Sequence, residues 1–327
     1  MSENLIQIGT SSPNPQKPAA TQSPRRGSGR PEWLRIRLST PAQYHEVNRL
    51  VEKLNLNTVC KEARCPNIYE CWGQHGTATF MILGEICTRR CGFCAVTSGR
   101  PNPGVDAEEP QHVAEAVKVM GLKHAVITSV DRDDLPDGGA RHWAAVIEAI
   151  HRETTAAVEV LTPDFRGVSD ALDIVLAPQP EVFSHNMETV PRMYRKARPG
   201  SRYERSLEVL ADASRRRDAG EYHGRVKTGI MLGLGETPEE VHGTLRDIRA
   251  AGVEVMTLGQ YLQPTAQHLP VDRWVTPEEF GEYRQYALEI GFTYCESGPL
   301  VRSSYHAHEH VPDSSAQGVG KSQRVVG

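Results

Sequence analysis

Hydrophobic positions along the chain alternate between two patterns, and their order predicts a parallel sheet covered by helices. Short runs of β-branched and other apolar residues read as buried strands. They are TATFMILGEI from Thr77, HAVITSV from His124, AAVEVLTPD from Ala156, DIVLAP from Asp173, VKTGIML from Val226 and EVMTLGQYL from Glu254. Helical spacing recurs near 139–151, 202–217, 238–251 and 277–289. It also recurs from Asp106, where Val113, Val117 and Met120 share a face behind an acidic first turn. A further helix is predicted from Pro41 to Leu54 through Val47, Leu50, Val51 and Leu54. Polar and Gly-rich segments (SVDRDD, TPDFRG, MLGLGE, GQYLQPT) each follow a strand. That is where α/β barrels build their sites. The expected fold class is therefore α/β, a partial or full TIM-type (β/α) barrel with extensions at both ends.

The patterning fails at the termini. Residues 1–30 are rich in Ser, Pro, Gln and Gly, with almost no large apolar side chains after Ile8. Such a segment cannot offset its ordering entropy and reads as a disordered tail. We expect an N-terminal extension over 31–75, the barrel over 76–295, and a C-terminal extension over 296–327 ending in a loose tail. No apolar run reaches the roughly 18–20 residues that span a bilayer. A net charge of −4, without a basic stripe carrying interleaved aromatics, argues against nucleic acid as a partner. No hydrophobic block of a secretory signal is present, so a reducing, cytoplasmic setting is expected for the thiols.

Those thiols carry the chemistry. Six of the seven cysteines fall into two triads. Cys87, Cys91 and Cys94 form C-x-x-x-C-x-x-C in CTRRCGFC, directly after a predicted strand. Three thiolates on one tight loop can hold three irons of a 4Fe–4S cluster and leave the fourth iron open. Zinc is the alternative, and it asks for a fourth Cys or His. Cys60, Cys65 and Cys71 form a wider triad in CKEARCPNIYEC, for which a zinc knuckle is the corresponding alternative. Cys295 stands alone and reads as a buried structural thiol.

The CTRRCGFC loop, with Phe93 before its last cysteine, resembles the signature of the radical S-adenosylmethionine (SAM) superfamily. Both triads together, in order with VITSVDRDDLPDGGA, TPDFRG, SHNMET, GIMLGLGET, TLGQYLQPT and VRSSYHA, resemble the lipoyl synthase family from about Leu54 to His306. The resemblance implies a SAM-binding 4Fe–4S cluster on Cys87, Cys91 and Cys94. It implies an auxiliary 4Fe–4S cluster on Cys60, Cys65 and Cys71, with a serine of the RSSY motif as fourth ligand. Ser304 is favoured, although the pair Ser303–Ser304 is as far as the sequence narrows it. Contacts to SAM are expected from Phe93, Thr128, Ser129, Asp131, Asn186, Glu188, Gly233 and Glu236.

The activity so implied is radical insertion of two sulfurs, drawn from the auxiliary cluster, at C6 and C8 of a protein-bound octanoyl-lysine. No side chain need then act as acid, base or nucleophile. Implied partners are octanoylated lipoyl carrier domains (2-oxoacid dehydrogenase E2 subunits and the glycine cleavage H protein), a ferredoxin- or flavodoxin-type reductant, and an iron–sulfur carrier that rebuilds the spent cluster. Neither nucleic acid nor membrane is among them. Other readings of the same residues are a radical SAM enzyme with a different substrate, a zinc-stapled binding module, and a cluster-binding paralogue without activity. The chain departs from the family's usual CTRRCPFC at Gly92, from the acidic or amide residue that follows at Ala95, and from the commoner Asn at Ser184.

Overall fold

The computed structural model describes residues 29–34, 49, 56–58, 77–304 and 310–311. The predicted helix over Pro41–Leu54 lies outside them apart from Arg49, and the Cys60, Cys65, Cys71 triad lies wholly outside. An eight-stranded sheet organises the rest. A short β1 (Asn57–Thr58) pairs antiparallel with β2 (Thr77–Ile82). Parallel strands follow: β5 (His124–Ser129), β6 (Ala157–Leu161), β7 (Val182–Ser184), β8 (Arg225–Leu232), β9 (Val255–Gln260) and β10 (Tyr294–Gly298). Two short strands, β3 (Ile86–Cys87) and β4 (Thr97–Ser98), pair apart from this sheet. Among the described residues the sheet order does not return on itself, so the barrel is partial.

Alternation along the strands separates a helix-facing side from an interior. Phe80, Ile127, Val160, Phe183 and Val226 are partners across five adjacent strands, and all five are buried in one apolar core. That core is shared with helices α1 (Glu109–Val119), α2 (Ala140–Glu153), α3 (Ala171–Leu176), α4 (Pro191–Ala197), α5 (Tyr203–Asp218), α6 (Pro238–Ala250) and α7 (Pro277–Glu289). The opposite face carries Thr79, Thr128, Glu159, Ser184, Lys227, Gly229 and Thr257. Burial of apolar surface thus stabilises the layer between sheet and helices, while the barrel interior sets these polar groups among Val126, Val182 and Val255.

One such group is an ion pair. Lys227 Nζ lies 2.8 and 3.1 Å from the two Glu159 oxygens, both side chains being essentially inaccessible, and His124 Nε2 lies 3.4 Å from Glu159 Oε2. Buried Cys295 faces the apolar layer, as expected of a structural thiol.

Two expectations need correction. DIVLAP is not a strand: Ala171–Leu176 is a short helix, α3, with Leu172, Val175 and Leu176 on its buried face. A short apolar run does not distinguish strand from buried helix, and spacings of three and four residues decided the matter. The true strand is VFS, residues 182–184, too brief to give a periodic signal. Strand β10 was also not anticipated, because Tyr294, Glu296 and Ser297 break its apolar pattern. The helices predicted near 139–151, 202–217, 238–251 and 277–289 agree with α2, α5, α6 and α7 to within two residues.

Candidate active site

The C-terminal ends of the parallel strands converge on one mouth, and the Cys87–Cys94 loop lies across it. After β2 the chain turns sharply through Leu83 and Gly84, with φ of 69° and 96°. The loop that follows is closed at its base by β3 pairing with β4 and by Gly99 N–H donating to Cys87 O at 2.9 Å. Thr88 fastens it to the segment after β5. Its N–H and hydroxyl both donate to Asp131 O (3.0 and 2.9 Å), and its hydroxyl accepts from Asp133 N–H at 3.0 Å.

Cys87, Cys91 and Cys94 are free and half-buried. Cys87 Sγ accepts backbone N–H bonds from Asp131 (3.3 Å) and Arg89 (3.4 Å). Burial raises all three thiols, Cys87 to about 11 and Cys91 to about 12, and the neighbouring Cys94 thiol adds to both shifts. Bare, these groups hold their protons; cationic iron is what would keep them as thiolates. Three thiols free of disulfides on one loop, with two N–H donors already aimed at the Cys87 sulfur, fit a cluster with one open iron. Phe93 packs against the core edge beside them.

A polar ligand also has a place. Ser129 Oγ, Asn186 Oδ1 and Arg198 Nε are buried without a hydrogen-bond partner among the described residues. Asp131 Oδ1 lacks one too, although Arg89 Nη1 lies 3.3 Å away. Buried polar atoms are rarely left so, and atoms from the ends of several strands call for a ligand rich in hydrogen-bonding groups. SAM, with amino, carboxylate and ribose groups, meets that demand. Glu188 adds a carboxyl that burial raises against the pull of Arg198, and it accepts from Asn186 Nδ2 at 3.2 Å. Its backbone, at φ 67°, is bonded into β8 at Gly229 and Met231. Gly229 is required there: a Cβ would strike Thr257 Oγ1 and come within 3.2 Å of Asn186 Oδ1.

The sequence-predicted residues thus divide. Phe93, Asp131, Asn186 and Glu188 gather around the cysteine loop, and Ser129 closes β5 at the same end of the sheet. Thr128 spends its hydroxyl on Leu161 O at 3.0 Å. Glu236 turns both carboxylate oxygens on the N–H groups of Gly233 (2.6 Å) and Leu234 (2.9 Å), so it shapes the loop after β8. Gly233, at φ 94°, allows that loop to close over Gln260 and Arg273. Ser303 and Ser304 follow β10 at the same end of the barrel, just past Val301, whose carbonyl lies against Gly259. Arg166 is exposed and lines an open cleft of about 310 Å³ with Asp133, Asp134 and Phe165. Arg302 donates to Val301 O at 2.6 Å.

Two arginines were missed. Arg89, inside the cysteine spacer, makes a two-pronged pair with Asp133 (2.9 and 2.8 Å) and reaches Asp164 at 2.6 Å, where Arg205 also binds. Burial opposes ionisation of Asp164, but Arg89 and Arg205 hold it well below the usual carboxylate range. Arg198 donates to Asn186 O (2.6 Å) and Tyr194 OH (2.9 Å), and its charge acts on Cys91, Asp131 and Glu188. No local pattern marks Arg89, because its partners come from distant loops, whereas Arg198 has near partners in Tyr194 and Asn186 and only the fold brings its charge to the cysteine loop. Gly92 also gains a reason. Its N–H donates to Ala197 O and its carbonyl accepts from Leu269 N–H, each at 2.8 Å, while a Cβ would come 2.9 Å from Leu269 Cγ. Proline there would lose the first of these bonds.

A model of the radical SAM superfamily matches residues 81–248. The chain is 56% identical over 293 residues to a lipoyl synthase of Rubrobacter xylanophilus, covering 89% of each. It is 53% identical over 283 residues to that of Flavobacterium johnsoniae, covering 86% of this chain and 96% of the other. With that of a Roseiflexus species it shares 54% over 294 residues, covering 89% and 96%. Among solved structures, Streptococcus suis SuiB bound to its precursor peptide SuiA has a similar fold, with a TM-score of 0.53 at 10% identity over 83% of this chain. The match spans only 56% of SuiB.

Proposed function

The chain belongs to the lipoyl synthase family of the radical SAM superfamily, and from that premise we propose how its own residues divide the work. It is a sulfur-inserting enzyme of the radical SAM class, served by SAM and 4Fe–4S clusters. Cys87, Cys91 and Cys94 hold the SAM-binding cluster, and Cys60, Cys65 and Cys71, with Ser304 or Ser303, hold the auxiliary one. When bound, clusters and SAM supply the radical hydrogen abstraction and the sulfur that no side chain can deliver to an unactivated carbon. The protein's own part is placement. Ser129, Asp131, Asn186 and Glu188 receive the polar groups of SAM, with Phe93 beside them. Arg198 braces the backbone of Asn186, and Arg89 bolts the cysteine loop to the segments after β5 and β6.

The observation that carries this reading is the meeting, at one barrel mouth, of three free thiols with buried polar atoms that lack partners. The substrate is an octanoyl group on a lysine of a lipoyl carrier domain, such as an E2 subunit or the glycine cleavage H protein, modified at C6 and C8. A ferredoxin or flavodoxin delivers electrons, and an iron–sulfur carrier restores the auxiliary cluster. The cytoplasm suits thiols that must remain reduced. Among the described residues no helix is long and apolar enough to cross a membrane.

An anaerobic reaction of the iron-loaded protein with SAM, dithionite and an octanoyl-lysyl peptide, followed by mass spectrometry, tests the assignment. Two sulfurs should enter the peptide. Replacing Cys60, Cys65 or Cys71 by Ala should leave 5′-deoxyadenosine formation but abolish sulfur insertion. Replacing Cys87, Cys91 or Cys94 should abolish both. Formation of 5′-deoxyadenosine with no sulfur in the peptide would refute the substrate, and bound zinc without iron would refute the cluster ligands.

A further inference from the structure

The segment after β9 carries no cysteine, yet it grips the cysteine loop. His268 Nε2 lies 2.9 Å from Cys94 O, and Thr265 Oγ1 lies 2.8 Å from His268 Nδ1. Gln263 Nε2 donates to His268 O at 3.0 Å. The next residue, Leu269, donates its N–H to Gly92 O at 2.8 Å, and its own carbonyl accepts from Tyr261 OH at 2.7 Å. His268 is half-buried, so this clasp is partly shielded from competing water.

The chemistry of the partners fixes the imidazole. A carbonyl oxygen only accepts, so Nε2 carries a hydrogen and donates to Cys94 O, while Nδ1 shares a hydrogen bond with the Thr265 hydroxyl. Holding the Cys94 carbonyl holds the planar peptide from Cys94 to Ala95. One residue further, the Val96 backbone N–H favours the Cys94 thiolate against burial. Hydrogen bonds to cluster sulfurs, and the outer groups that orient ligands, tune the reduction potential of a bound cluster.

We propose that His268 is a positioning residue for the iron-binding loop: by holding the Cys94 carbonyl it fixes the peptide that presents the Cys94 sulfur, and so raises the reduction potential of the SAM-binding cluster. This rests on the reading of Cys87, Cys91 and Cys94 as its ligands. Gln places an N–H donor close to the Nε2 position, whereas Asn mimics only Nδ1. The two amides therefore separate the hydrogen bond from mere size and polarity.

The test uses the iron-loaded full chain. The cluster concerned is identified by its EPR signal changing on addition of SAM, and its midpoint potential is measured by redox titration. In His268→Ala and His268→Asn the potential should fall, and 5′-deoxyadenosine formation at saturating SAM should slow by roughly tenfold, with little change in the KM for SAM. His268→Gln should stay near wild type in both. Unchanged potentials in the Ala and Asn variants, or a Gln variant as impaired as Ala, would overturn the proposal. Should His268→Ala fail to fold, Thr265→Val carries the test, since it removes an exposed hydroxyl and leaves the ring. A lowered potential supports the clasp, and an unchanged one overturns it. Cys91→Ser, measured alongside, separates the two readings. If the SAM-responsive signal persists there, the ligand assignment falls; if it is lost while the His268 variants keep the wild-type potential, only the clasp falls.

Discussion

Arg89 shows how one side chain can organise a site without touching the chemistry. Its guanidinium is 2% exposed and meets Asp131, Asp133 and Asp164, carboxylates from the segments after β5 and β6. Asp164 is wholly buried, so removing Arg89 leaves it, among the described residues, with Arg205 as its ion-pair partner and the Arg166 N–H as a further donor. Breaking a buried ion pair costs about 3–5 kcal/mol, and Lys cannot replace a fork that binds Asp133 through two nitrogens while reaching Asp164. Arg89→Lys should therefore lower the free energy of unfolding in urea by about 2 kcal/mol or more, at the upper end of ordinary single substitutions. A change within experimental error would show that the network is not load-sharing. The sequence identified the cysteines on either side of this residue because their spacing is local. Arg89 itself was illegible, since its three carboxylate partners lie more than forty residues away along the chain. Asn186 and Glu188 were legible only through resemblance: on composition they belong to an unremarkable polar loop.

At the scale of elements, strand order was readable wherever a strand is long enough to be apolar on its helix-facing side. β7 and α3 were exchanged because the apolar run fell on the helix and the strand has only three residues. The same alternation that buries Val158 and Val160 against helices turns Glu159 into the barrel, opposite Lys227 from β8. Burial works to raise the pKa of Glu159, but Lys227 and His124 draw it down to about 2. A carboxyl depressed in the folded state contributes stability that is fully present above its ordinary value of 4.5 and is lost as pH falls toward 2. Glu159→Gln leaves buried Lys227 without its counter-ion, and should destabilise by about 3–5 kcal/mol at neutral pH. Its stability should also fall less steeply than that of wild type between pH 4.5 and 2. Equal slopes for the two proteins in urea titrations across that window would show that Glu159 does not couple β6 to β8 as an ion.

At the scale of the whole molecule, the barrel core and the Cys87–Cys94 loop are held by different kinds of contact. Sequence reading extends to Cys60, Cys65 and Cys71, which lie outside the described residues, whereas the described fold reveals what spacing does not, how the core and the Cys87–Cys94 loop meet. The apolar layer between sheet and helices is continuous without Cys91 or Cys94, and Cys87 and Phe93 meet it only from its edge. The loop is held instead by hydrogen bonds to Asp131, Ala197 and the segment after β9. Iron bound to the native loop adds stability by mass action, and its loss should loosen what it touches first. Chelation of iron under anaerobic conditions should therefore preserve the far-UV circular dichroism of the helices. Amide exchange should rise in residues 85–98, with smaller increases near 131–134 and 263–269. Protection should persist in β5, β8 and β9, whose backbone bonds lie within the sheet. Exchange that spreads through those strands at the same rate would mean that the cluster is part of the folding unit. Confinement to the loop segments would mean that the barrel is a preformed scaffold, able to receive, hold and replace an iron–sulfur cluster without unfolding.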